Sequence, residues 1–141
     1  TLKELRENPY QDMDIDTDCI VSFELIERDK LRRYIENPYL YSRVQHSENM
    51  QLEQRGITIV KSDLPAELLK EQIIWEKKNN NRYITFLMKE EITEGFPNDL
   101  QRQLQMIQQK YQTGAVISRF LVCAQEEGKI YDFYKTFVEI I

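Results

Sequence analysis

The chain has 141 residues and a net charge of −5, and 41% of its residues are hydrophobic and 11% are aromatic. A chain of this length and composition is typical of a folded globular protein with its own core, which argues against a disordered chain. The acidic balance argues against sequence-independent binding to nucleic acid, and the absence of a long apolar run argues against a membrane span. We expect one domain over residues 1–141. A first residue other than methionine and an apolar last segment suggest a domain cut from a longer protein, or one with trimmed ends.

The first part of the chain predicts two short helices around one strand. Residues 1–7 suit a helix, and the alternation of apolar and polar residues in Cys19–Glu27 predicts a strand. Residues Arg28–Glu36 suit a second helix. This helix is expected to end at Asn37, because a residue that precedes proline avoids the helical conformation.

The middle of the chain predicts strand, helix and strand. Residues Ile57–Lys61 suit a strand that extends back as far as Leu52. Residues Ser62–Lys78 suit a helix, with a capping residue at its start and a proline in its first turn. Alternation of large apolar residues then predicts a strand over Arg82–Glu91.

The last part of the chain predicts a helix and a long hairpin. Leu100, Leu104, Ile107 and Tyr111 have helical spacing, and Gly114 is expected to stop this helix. Two strands are expected to follow, joined by a turn at Glu126–Lys129. The final segment also has apolar residues at helical spacing, but its β-branched and aromatic content favours a strand.

These elements predict an α+β fold: a mainly antiparallel sheet of about five strands, with helices packed on one face and a long β-hairpin at the end. A ferredoxin-like arrangement is one form of it. Cys19 and Cys123 lie in apolar, strand-like runs, so we expect both to be buried free thiols in a reducing cytoplasm.

A basic and aromatic segment is the first candidate site. Its cationic, histidine and tyrosine residues are Arg28, Lys30, Arg32, Arg33, Tyr34, Tyr39, Tyr41, Arg43 and His46. Arginine and tyrosine are typical of protein interfaces, and cations interleaved with rings also bind single-stranded nucleic acid. The third interpretation is an ordinary solvated surface.

An aspartate run is the second candidate site. Asp12, Asp14, Asp16 and Asp18 alternate with other residues, so an extended chain places four carboxylates on one side, as a hard cation requires. The pattern lacks the glycine and the final glutamate of a calcium-binding loop. It predicts either a metal-dependent phosphotransfer or hydrolytic enzyme or an acidic surface segment.

No other catalytic pattern is present in the sequence. His46 is the single histidine, its surroundings resemble no nucleophile motif, and no glycine-rich nucleotide loop occurs, so no cofactor is expected. We therefore predict a non-catalytic protein–protein interaction domain, regulatory or adaptor in role, while the question of an enzyme stays open. Its partner is expected to be another protein, or a second copy bound through the terminal hairpin. The alternatives are a domain that binds single-stranded nucleic acid and the metal-dependent enzyme.

Overall fold

The computed structural model describes residues 11–13, 15, 19–22, 41–59, 73–77, 82–91 and 99–141. These residues form eight strands and one helix. The strands are β1 (Gln11–Met13), β2 (Cys19–Ser22), β3 (Tyr41–His46), β4 (Asn49–Ile59), β5 (Ile73–Glu76), β6 (Arg82–Glu91), β7 (Thr113–Glu126) and β8 (Lys129–Ile140), and the helix is α1 (Asp99–Gln108).

The eight described strands form one sheet in the order β1-β6-β8-β7-β3-β4-β2-β5, and every pairing is antiparallel. The predicted α+β fold with about five strands and several covering helices is therefore wrong. The described chain is mostly sheet with a single helix, and the ferredoxin-like form is wrong for the same reason. The helices expected over residues 1–7 and 28–36 lie outside the described residues.

Strand β5 accounts for part of the error in the predicted fold. Residues Ile73–Glu76 fall inside the helix predicted over Ser62–Lys78, yet they form a strand that pairs with β2. Isoleucine and tryptophan fit a strand well when a neighbouring strand is present to pack against. Trp75 lies opposite Ile20 in this pairing, so the long-range contact decided the conformation over the local helical spacing.

Elements with the clearest local periodicity were predicted correctly. Strand β6 has the predicted bounds, Arg82–Glu91, and α1 lies within the predicted helix. The helix ends at Gln108, before Gly114, so Tyr111 lies beyond it and is exposed. The terminal segment forms strand β8, which pairs with β7 along its length.

The sheet buries apolar residues on both faces. One cluster packs β6, β7 and β8 against α1, and we call this side the helix face; it includes Ile84, Phe86, Met88, Leu100, Leu104, Ile107, Val116, Tyr134 and Val138. A second cluster lies on the opposite face and includes Ile15, Ile20, Val44, Trp75, Tyr83, Ile117 and Phe137. The Trp75 and Tyr83 ring centroids are 6.5 Å apart, although five strands separate β5 from β6 in the sheet order. The sheet therefore curls around this second cluster, and we call that side the concave face.

The two cysteines have different environments. Both thiols are free; Cys19 is buried, as expected, whereas Cys123 is exposed, so the prediction for Cys123 is wrong. Its apolar neighbours in sequence belong to the outer part of β7, where the described sheet does not cover them. Within the described ranges, no helix has the length and apolar character needed to cross a membrane.

Candidate functional site

The β7–β8 hairpin extends beyond strand β3. Strand β3 pairs with β7 as far as Arg119, whereas β8 stays paired with β6 as far as Tyr131 and with β7 as far as Lys129. Residues Phe120–Glu126 therefore pair with β8 on one side, and no described strand pairs with them on the other. We call Phe120–Glu126 the β7 edge. The edge strand of a sheet offers backbone donors and acceptors to an added strand.

The β7 edge exposes apolar side chains. Val122 is 38% exposed on β7, and Ile130 on the adjoining strand is 44% exposed. Val122 lies opposite the buried Phe133, and Cys123 lies opposite Asp132, so neighbouring residues of the edge face opposite sides of the sheet. The pairing register shifts between Phe120 and Val122, and a bulge of this kind is common at sheet edges.

A tight turn and ion pairs shape the end of the hairpin. Glu127 and Gly128 have φ values of 51° and 80°, which match the two-residue turn favoured in hairpins. Lys89 Nζ lies 3.7 Å from a carboxylate oxygen of Glu126. The Lys129 ammonium lies 3.9 Å from a carboxylate oxygen of Glu91 on β6. These pairs connect the end of the hairpin to β6.

A buried arginine lies on the helix face near the base of the β7 edge. Arg43 is 8% exposed, and its guanidinium donates a 2.6 Å hydrogen bond to Glu90. It lies 4.3 Å from the centre of the Tyr134 ring and 3.8 Å from a carboxylate oxygen of Glu53. Arg55 in turn lies 2.8 Å from Glu53. We call Arg43, Glu53, Arg55, Glu90 and Tyr134 the Arg43 cluster; with both arginines and both glutamates ionised, its formal charge is zero.

Small side chains make room for the Arg43 side chain. In the register of the sheet, Arg43 lies opposite Ser118, which lies opposite Thr136. Both small residues are fully buried, and the Thr136 hydroxyl donates a 3.3 Å hydrogen bond to Ser118. Strands β3 and β6 are three strand spacings apart, or about 14 Å. Side chains of β3 and β6 can meet across this separation only if both are long and the side chains on the strands between them are small.

Arg43 and the two tyrosines beside it hold their protons more tightly than usual, because their pKa values are raised. Burial lowers the pKa of Arg43, but its hydrogen bond to Glu90 and the nearby carboxylates raise it more, so the net shift is upward. Burial also raises the pKa values of Tyr41 and Tyr134, against the opposing effect of Arg43. A tyrosine that is hard to deprotonate is a poor proton donor, and in its neutral form it cannot accept a proton as a general base. The cluster therefore fits a structural role better than acid–base catalysis.

Aromatic rings connect the Arg43 cluster to the β7 edge. The Phe120 ring contacts Tyr134 edge-on at 5.7 Å between centroids, and it contacts Tyr41 at 6.5 Å. Such contacts stabilise by about 1 kcal/mol beyond the apolar area they bury. Phe120, the first residue of the edge, therefore contacts an aromatic ring on each side. The exposed residues of the edge follow directly after it.

Three residues of the predicted basic and aromatic surface lie in the described chain. Tyr41 is half-buried against Phe120, Arg43 is buried in its cluster, and His46 is exposed at the end of β3. The remaining six, Arg28, Lys30, Arg32, Arg33, Tyr34 and Tyr39, lie outside the described residues. The structure thus brings two of the described three to the base of the β7 edge, and the wider surface stays a prediction.

The aspartate run is described only in part. Asp12 belongs to β1 and lies opposite Ile84, whereas Asp14, Asp16 and Asp18 lie outside the described residues. Among the residues that are described, no group of three His, Cys, Asp or Glu side chains is placed to hold a metal ion. The metal site therefore stays a prediction, as does binding to nucleic acid.

Sequence reasoning missed the Arg43 cluster and did not single out the β7 edge by residue. Glu90 is 47 residues from Arg43 in sequence, so no local pattern connects them. The available signal for the edge was length: within the described residues β7 has 14 residues and β3 has six, so part of β7 lies beyond the described part of β3. This signal could be used only if β3 was first recognised as a strand.

Comparisons with models of protein families, with curated proteins and with solved structures find no match to this chain.

Proposed function

We propose that this chain is a non-catalytic protein–protein interaction domain, with a regulatory or adaptor role, that binds its partner at the β7 edge. The observation that carries the proposal is this edge, where Phe120–Glu126 have a strand neighbour on one side only within the described chain. A bound segment would add a strand there, so that its backbone supplies hydrogen bonds and its side chains contact Val122.

The surroundings of the edge support this proposal. Aromatic contacts hold Phe120 at its base, and ion pairs hold the end of the hairpin to β6. An edge that is already ordered loses little conformational freedom when a partner binds. Tyr41 belongs both to this base and to the predicted Arg28–His46 surface, which we propose as an adjoining contact. The two free thiols support a reducing compartment, and we propose the cytoplasm.

A glutamate at position 122 tests the proposal. The Val122→Glu protein is expected to lose its captured protein partner in affinity purification with nuclease added, because a charge replaces the apolar contact of the edge. The matched control is Leu52→Glu, since Leu52 is an apolar residue of β4 that is 63% exposed. This control is expected to capture the partner as the unaltered chain does.

Two results would contradict the proposal. One is a partner retained by Val122→Glu, and the other is a partner lost equally from Leu52→Glu. A ligand removed by nuclease treatment would instead favour the predicted nucleic-acid role over this one.

A further inference from the structure

We draw no further inference here: the strongest candidate, the buried Thr85 hydroxyl on the concave face, has no hydrogen-bond partner among the described residues, but Phe137 opposite it and Tyr83 beside it are at most 1% exposed, so nothing in the described chain shows room for a ligand there.

Discussion

Replacement of Arg43 by methionine is expected to lower the free energy of unfolding by about 2–3 kcal/mol. Methionine keeps most of the aliphatic stem but removes the cation that balances Glu90 and lies over the Tyr134 ring. Removal of one partner from a buried ion pair leaves the other charge uncompensated, which usually costs about 3–5 kcal/mol. The expected value is smaller here, because the Glu90 side chain is 29% exposed and keeps some water. Urea unfolding measures the difference.

Arg55→Met is the matched control for this experiment. Arg55 also forms an ion pair with Glu53, but its side chain is 63% exposed. Exposed pairs contribute about 0.5 kcal/mol or less to stability, so this variant is expected to unfold almost like the unaltered chain. Equal losses from Arg43→Met and Arg55→Met would contradict the structural role assigned to the Arg43 cluster.

Replacement of Gly56 by alanine is expected to lower the free energy of unfolding by about 3 kcal/mol or more. Gly56 lies in β4 between Ser42 of β3 and Ser22 of β2. An added methyl group would collide with the backbone carbonyl oxygen of Val21 and would lie 2.8 Å from Ile20 Cγ2. Backbone cannot rotate away as a side chain can, so β2 must separate from β4.

Tryptophan fluorescence distinguishes this collision from a general loss of stability. The single tryptophan, Trp75, is buried on β5, which pairs with β2 opposite Ile20. Displacement of β2 is therefore expected to shift the emission of folded Gly56→Ala protein to longer wavelength, as Trp75 becomes exposed to water.

Gly114→Ala is the matched control for Gly56→Ala. A methyl group at Gly114 would meet the carboxylate end of Glu139 and the tip of the Ile141 side chain. Both are flexible ends that can move aside, so the expected loss is within about 1 kcal/mol with unchanged emission. A Gly56→Ala chain as stable as this control would show that β2 does not pack against Gly56 as described.

Capture experiments with Val122→Glu ask whether the β7 edge binds a protein. The aromatic base formed by Phe120, Tyr41 and Tyr134 lies at the start of this edge. A protein that loses the Arg43 cluster but stays folded would show whether that base orders the edge.

Local patterns in the sequence determined the elements whose apolar residues repeat with a clear period. Alternation of Ile84, Phe86 and Met88 was enough to predict β6, and the spacing of Leu100, Leu104 and Ile107 was enough for α1. The hairpin of β7 and β8 also followed from β-branched content around a turn that contains Gly128. In each of these elements the buried residues recur every few positions, so a short stretch of sequence is enough to predict the element.

The tertiary structure alone decided the size and curvature of the sheet and the composition of the candidate site. Strand β5 exists because Trp75 pairs opposite Ile20, more than fifty residues away in sequence, and this pairing overrode a helical spacing. Arg43 was predicted as part of an exposed surface, but Glu90 and Tyr134 from distant strands bury it. Cys123 was expected inside because its neighbours are apolar, yet it is exposed, and within the described residues β3 pairs with β7 as far as Arg119. Burial depends on which strands become neighbours, and hydrogen bonds between distant segments decide that.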